Sequence, residues 1–503
     1  MSVGTRPKRL NARGLLDLVV DPGSFRSWDS PVAYTGHSDA YEADLAAARE
    51  KTGEDESVLT GEGLVRGRRV ALVVCEFGFL GGSIGVAAAD RLTDAVERAT
   101  REGLPLLAGP ASGGTRMQEG TLAFLSMVKI TAAVRAHKEA GLPYLVYLRH
   151  PTTGGVMASW GSLGHITVAE PGALLGFLGP RVYEALYGEP FPEGVQTAEN
   201  LQARGLVDAV LRPEELAETV HRALSMLLPG DGGTVPAPPS LDSAPEAVQA
   251  WESITISRNP DRPGVRQLLH FGASDVLPLN GTGQGEKDPG LLLALARFGQ
   301  TSCVVLGQDR QRGAEQPALG PASLREARRG MRLAEELNLP LLTVIDTAGA
   351  ALSKEAEEGG LAGEIARSLN DLVGLDCPTV SVLLGQGAGG GALALLPADR
   401  TVAAQHAWLS SLPPEGASAI VYRDTLHGAE MAQAQGVTVS ALADHGIVDH
   451  IVPEEPDAAA EAPDFCRRMA KAVEYELASL RTGPAAERLA RRTERFRKLG
   501  SVG

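Results

Sequence analysis

The chain repeats itself, and this restricts its possible folds more than any other feature. Pro105 and Pro143 stand 38 residues apart, as do Pro340 and Pro378. The offset between the halves is 235 for both prolines, 236 for Gly155 against Gly391 and 234 for Val168 against Val402. So steady an offset, from Pro105 to Val168, marks an internal repeat of one domain-sized unit. In the first half "GLPLLAGPASGGTR" is followed by a helical run at about 121–140, then by "GLPYLVYLRHPTTGG" and "HITVAEPGALLGFLGP". In the second, "LAEELNLPLLTVIDTAGA" leads to a helix around 361–374, then to "LDCPTVSVLLGQGAGGG" and "DRTVAAQHAWLSSLPPEG".

Each repeat reads strand, helix, strand, helix. Its strands ("ALVVC", "YLVYL", "LLTVI", "TVSVLL") are continuously apolar, as in mostly parallel sheets buried on both faces. The expected fold is therefore α/β: two similar layered domains with mostly parallel sheets. The Pro/Gly/Ser-rich stretch at 228–247 reads as a linker. It divides the chain into 1–228, a linker at 229–247, and 248–503, and 503 residues suffice for two full cores.

Composition narrows the partners. With 47 Lys plus Arg against 62 Asp plus Glu, the formal charge is -15, the wrong sign for a nucleic-acid surface. No apolar run approaches the roughly 20 residues of a membrane span, and the N-terminal stretch has no apolar leader core. Cys75, Cys303, Cys377 and Cys466 lie far apart without a CxxC pair, which fits a reducing cytoplasm and offers no zinc site. The expectation is a cytoplasmic protein without a metal, and with neither nucleic acid nor membrane as partner.

The two glycine runs, Gly154-Gly155 and Gly389-Gly390-Gly391, fall where strands give way to helices. Ligands of such folds sit at that edge. Glycine admits close approach to the backbone, and a helix start leaves N–H groups unpaired beneath a favourable dipole. A phosphate and a developing oxyanion are both suitable guests; the missing GK[ST] ending speaks against a nucleotide triphosphate. The plainer reading is tight helix–strand packing. Two such runs at equivalent places favour a site with one turn per ligand, and enolate formation on a thioester has that need.

"SGGTRMQEG" (112–120), "PTTGGVMAS" (151–159) and "AEPGALLGFLGPRV" (169–182) closely resemble the beta subunit of the bacterial acetyl-CoA carboxylase carboxyltransferase. "SRNPDRP" (257–263), "IDTAGA" (345–350), "EGGLAGEIARSLNDL" (358–372), "GQGAGGGALAL" (385–395) and "PPEGASAI" (413–420) resemble its alpha subunit. The chain thus resembles a beta–alpha fusion, and the resemblance implies duplicated crotonase-like domains. It also implies transfer of a carboxyl group from carboxybiotin, on a separate biotin carboxyl carrier protein charged by a separate biotin carboxylase, to the alpha carbon of an acyl-CoA. Acetyl-CoA would give malonyl-CoA, as in fatty acid biosynthesis. The first domain would be the acyl-CoA side and the second the biotin side. Carried over by motif, Gly154, Gly155 and Val156 would hold the thioester oxygen as it becomes an enolate. Gly390, Gly391 and Ala392 would hold the ureido oxygen of biotin, whose nitrogen would take the alpha proton. Gly113, Gly114, Thr115 and Arg116 would line the CoA side and Gly349 the biotin side. A homo-oligomer, a dimer or larger, would form sites between the first domain of one chain and the second of another.

The chain departs from the family's pattern in four places. It lacks the beta subunit's four-cysteine zinc ribbon; Ala348 stands for a proline, Pro413 for a serine and His150 for an aspartate. These leave the acyl group open. Arg116 and Glu119 have the spacing of an ion pair that would hold their turn. Glu415 suits a helix start. Asp346 would anchor the "TAGA" turn through backbone N–H groups. His150 and His165 flank the first glycine turn as general bases or, more plainly, as satisfied histidines. The Arg-rich tail at 481–500 suits CoA phosphates, a carrier, a neighbouring subunit or plain solvent. Competing activities are a malonyl-CoA-type decarboxylase, a hydratase or isomerase, and a non-catalytic scaffold. The hydratase ranks low, since no carboxylate pair stands beside the first turn.

Overall fold

The computed structural model describes residues 10–32, 38–228, 235–237, 248–309 and 318–499; most of the 229–247 linker lies outside them. The chain divides into two compact units, Met1–Leu228 and Pro229–Gly503.

In the first unit the strands Val58–Val65 and Arg68–Cys75 form a hairpin. Its two turn residues, Arg66 at φ 46° and Gly67 at φ 81°, have the left-handed backbone that matches strand twist. Asp21 fixes the turn by accepting both turn N–H groups, at 3.0 and 2.7 Å. From Arg68–Cys75 the sheet continues in parallel through Leu106–Gly109, Tyr144–Leu148, Ile166–Ala169 and Ala209–Val210. The second unit has the same plan. The hairpin Leu291–Phe298/Thr301–Gln308 is followed in parallel by Leu341–Thr347, Thr379–Ala388, Arg400–Ala404 and His450–Val452.

The repeated prolines have a structural reason. Each stands just before a parallel strand, where its missing N–H is not needed but its carbonyl still serves the ladder. Pro143 accepts from the Leu106 N–H at 2.9 Å and Pro378 from the Leu341 N–H at 2.8 Å. The crossover helices Val86–Arg101 and Pro321–Glu336 repeat at the same 235 offset, each capped by a glycine. The helices expected near 121–140 and 361–374 are Gly120–Glu139 and Leu361–Gly374. In the first unit Val73, Ala88, Leu92, Val96, Val134 and Val146 share one buried core. Each large aliphatic side chain so buried contributes about 1.5–3 kcal/mol. That core leaves the carboxyl ends of the strands, with their glycine turns, at its rim.

One equivalence shifts. The glycine at which each chain swings into its helix is Gly154 (φ 62°) in the first unit and Gly389 (φ 66°) in the second. The counterpart of Gly155 is therefore Gly390, and that of Val156 is Gly391, at an offset of 235 rather than 236. Three consecutive glycines hid this register in the sequence.

Candidate active site

In the first unit two segments are laced together at the sheet's carboxyl edge. The Ser112 N–H donates to the Pro151 carbonyl (2.7 Å), and the Thr153 N–H donates back to the Ser112 carbonyl (2.8 Å). Ser112 Oγ accepts the Gly114 N–H at 3.0 Å, closing a small turn in which Gly114 has φ 113°. A side chain at Gly154 would meet the Gly113 carbonyl and Gly114 Cα at 3.2 Å, so only glycine permits this approach. Gly113, Gly114 and Thr115 are thus brought against Gly154 and Gly155. The Gly154 N–H donates to the Phe177 carbonyl (2.9 Å), whereas the Gly155 and Val156 N–H groups, at the start of the short helix Gly154–Met157, have no partner among the described residues.

The second unit repeats this arrangement. Thr347 Oγ1 accepts the Gly349 N–H at 3.1 Å, and Gly349 has φ 138°. The Ile84–Thr115 and Leu319–Ala350 bridges occupy matching places. The Gly390 and Gly391 N–H groups open the helix Gly389–Leu393 without a partner among the described residues. A side chain at Gly390 would come within 2.8 Å of Ile365 Cδ1. Ala392, expected among the donors, is the counterpart of Met157 and lies one step inside its helix.

Arg116 is fully buried. Its guanidinium donates to Glu56 (2.9 Å), Glu119 (3.2 Å), Ser57 (3.2 Å) and the Ser83 carbonyl (2.8 Å). Burial pulls its pKa down more than any one contact raises it, but the hydrogen bonds and charges of Glu56 and Tyr41 together outweigh this and hold it above the ordinary arginine value. The ion pair with Glu119 is therefore present, with all of this guanidinium inside the unit. Glu119 in turn accepts the Val86 N–H at 2.5 Å and so ties the turn to the first crossover helix. Glu56, the main partner, lies 60 residues away in sequence, and no local spacing announced it.

Both histidines hold main chain. His150 Nδ1 accepts the Leu174 N–H and buried His165 Nδ1 the Tyr144 N–H, each at 3.0 Å. Asp346 departs from expectation: its Oδ1 accepts the Gln386 N–H at 3.0 Å, at the strand leading into the second glycine turn, while Thr347 anchors the "TAGA" turn. The reason is that Asp346 still lies within the Leu341–Thr347 strand, facing its parallel neighbour. Gln308 and Ser159 went unremarked in the sequence. Gln308 Nε2 donates to the Gly391 carbonyl (2.8 Å), its Oε1 accepts the Asp346 N–H (3.0 Å), and Ser159 Oγ donates to the Gly155 carbonyl (2.5 Å). Glu415 starts the helix Pro414–Val421 and forms a two-point pair with Arg258 at 2.6 and 3.0 Å, which holds its pKa below the usual range.

The chemistry open to this arrangement is electrostatic. All four thiols are buried, which pushes Cys75 up to about 11 and Cys377 and Cys466 up to about 12, so none is a ready thiolate. Among the described residues no group of His, Cys, Asp and Glu has a metal-holding arrangement. Each turn instead carries two backbone N–H groups at a helix start. In the first unit the Gly113 N–H donates to the Gly81 carbonyl at 2.9 Å, and Gly81 with Phe77 and Leu80 lines part of a separate cavity of about 530 Å3.

The model of the carboxyl transferase domain family matches residues 7–490. The chain belongs to that family. It is 62% identical over 492 residues to the probable biotin-dependent acyl-coenzyme A carboxylase beta3 subunit of Mycobacterium tuberculosis H37Rv, covering 98% of this chain and 99% of that one. It is 37% identical over 521 residues to the acetyl-coenzyme A carboxylase carboxyl transferase subunits beta/alpha of Salinispora arenicola, covering 98% and 91%. The fold is similar to that of transcarboxylase 12S, at a TM-score of 0.74 and 22% identity over 94% of this chain and 90% of that one. This carboxyltransferase is accordingly an enzyme of the biotin-dependent acyl-CoA carboxylases with crotonase-like units. No helix among its described residues is long and apolar enough to cross a membrane.

Proposed function

We propose that this carboxyltransferase moves a carboxyl group from carboxybiotin to the alpha carbon of a short acyl-CoA, acetyl-CoA or a close homologue, using its two glycine turns as separate oxyanion holes. The observation that carries the reading is the pair of unpaired donors repeated at one offset: Gly155 and Val156 in the first unit, Gly390 and Gly391 in the second. The first turn receives the thioester oxygen. As the alpha proton leaves for the biotin nitrogen, the C–H pair becomes the C=C bond of the enolate, the carbonyl π pair moves onto that oxygen, and the two N–H groups stabilise the charge it acquires. A preorganised donor of this kind is worth about 3–4 kcal/mol in the transition state. Gly113, Gly114 and Thr115 hold the first turn from behind, and Arg116 fixes their approach through Glu56 and Glu119.

The second turn has the character a ureido oxygen requires: two parallel donors, no side chain at Gly390 or Gly391, and the apolar Ile365 and Leu319 beside them. Biotin bound there supplies the carboxyl group as carbon dioxide. The chain's contribution is to favour charge on the ureido oxygen and to exclude side chains that would compete for it. Gly349 shapes the turn facing Gly391, where a side chain would meet the Ala350 backbone at 3.4 Å. A biotin carrier protein and the biotin carboxylase that charges it are the partners of this reading. So is a second copy of the chain, supported by the exposed Leu122, Phe124 and Val128 on one helix of the first unit and Ile420 and Leu426 in the second.

Gly155→Val and Gly391→Val test the assignment. Neither position has a left-handed φ, and their nearest neighbours stand at 3.2 Å or beyond, so the fold persists. Each substitution is expected to lower kcat/KM by about 10²–10³ with the thermal midpoint nearly unchanged. Near-native activity in both would remove the oxyanion assignment.

A further inference from the structure

The short helix of the first turn leaves one carbonyl to a side chain. The Ala158 N–H donates back to the Gly154 carbonyl (3.0 Å), but the Ser159 N–H skips a residue and donates to the Val156 carbonyl (3.3 Å). This tightening passes over the carbonyl of Gly155. Ser159 Oγ takes its place and donates to that carbonyl at 2.5 Å. The peptide so engaged joins Gly155 to Val156, and its other end is the unpaired Val156 N–H.

We propose that Ser159 is a positioning residue for carboxyl transfer: its hydroxyl fixes and polarises the Gly155–Val156 peptide and so strengthens the Val156 N–H as a donor to the thioester oxygen. The proposal rests on the first turn being the thioester's oxyanion hole. Hydrogen bonds in series reinforce one another, since drawing electron density toward a carbonyl oxygen makes the N–H of the same peptide more positive. The gain is largest when the guest carries full charge, so it belongs to the transition state rather than to the bound substrate. The contact also holds the peptide plane against rotation, which would turn the N–H away from its guest.

The second unit also fills a passed-over carbonyl with a side chain, but on a different peptide. There the helix tightens one residue later: Ala394 donates to the Gly390 carbonyl, and Leu395 donates to the Ala392 carbonyl. The carbonyl passed over is Gly391, and Gln308 fills it from a neighbouring strand at 2.8 Å. The N–H of that peptide belongs to Ala392, inside the helix. A side-chain donor thus acts on a peptide with an unpaired N–H in the first turn alone.

The test is steady-state kinetics of reverse transfer, with malonyl-CoA or methylmalonyl-CoA and biocytin, for Ser159→Ala and Ser159→Thr. Ser159→Ala is expected to lower kcat about tenfold while KM for the CoA ester stays within about twofold, and Ser159→Thr, which restores a hydroxyl, to recover most of kcat. A kcat for Ser159→Ala within about twofold of the native enzyme overturns the proposal. So does a loss of kcat, KM and thermal midpoint together that threonine fails to restore, because that pattern is structural. Native enzyme with no biocytin-dependent turnover would overturn the reading of the turn itself, and the proposal with it.

Discussion

Gly155 and Val156 offer N–H groups that the protein leaves unpaired, while polar groups nearby are committed to specific partners. His165 and Asp399 show how those commitments are met in different ways at one place in the repeat. The first strand residues Tyr144 and Thr379 stand 235 apart; His165 Nδ1 accepts the N–H of one (3.0 Å) and Asp399 Oδ2 that of the other (2.8 Å). Glu326 is a costlier commitment. It is 3% exposed, one carboxyl oxygen accepts the Gly281 N–H at 3.1 Å, and the other has no hydrogen-bond partner among the described residues. Burial raises its pKa from 4.5 to about 7, against the pull of that N–H and of Arg329 and with Asp288 adding to the rise. Because the folded state then holds a proton that the unfolded chain releases near 4.5, stability falls as pH rises from about 4.5 to 7. The loss is about 3 kcal/mol. Glu326→Gln is expected to raise the thermal midpoint at pH near 8 and to leave it unchanged at pH near 4. An equal shift at both values would show that the carboxylate's charge is not the cause.

At the scale of elements, the C-terminal helix Ala485–Arg497 packs with arginines facing inward, so among the readings left open for this basic tail a purely solvated helix is ruled out. Arg492 is 1% exposed, forms two 2.9 Å hydrogen bonds to Asp399 and donates to the carbonyls of Leu375 (2.8 Å) and Cys377 (3.1 Å). Arg492→Met would leave buried Asp399 paired with Arg488 alone, at 3.4 Å, and is expected to cost about 3 kcal/mol in denaturant unfolding. A cost below about 1 kcal/mol would mark the pair as an ordinary surface bridge. The sequence told more about strands and turns than about such latches, for a physical reason. Prolines, glycines and apolar runs act within a few residues of themselves, so Pro143, Gly154 and "YLVYL" carry their meaning locally. The pairs Arg116–Glu56, Gln308–Gly391 and Arg492–Asp399 join residues 60, 83 and 93 positions apart, and only the folded topology brings them together. Ser159 lay within a motif already singled out. Its hydroxyl was missed because one skipped hydrogen bond in a four-residue helix has no signature in residue types.

For the whole molecule, duplication explains why one chain has two similar glycine-bearing sheet edges. A single ancestral plan supplied a strand, a glycine pivot and a helix start twice, and the surroundings then diverged. Ser159 and Met127 stand by the first turn, and Gln308, Ile365 and Leu319 by the second. The central claim is that both turns serve one transfer between a CoA thioester and biotin. Its most direct test is reverse transfer by the purified chain, given malonyl-CoA or methylmalonyl-CoA with and without biocytin, with sample mass read by light scattering. The account predicts acetyl-CoA or propionyl-CoA formed only when biocytin is present, and formed by a species at least twice the 52.6 kDa of one chain. Product formed equally well without biocytin would mark a decarboxylase, and no product despite CoA-ester binding would mark an idle subunit; either result contradicts the account.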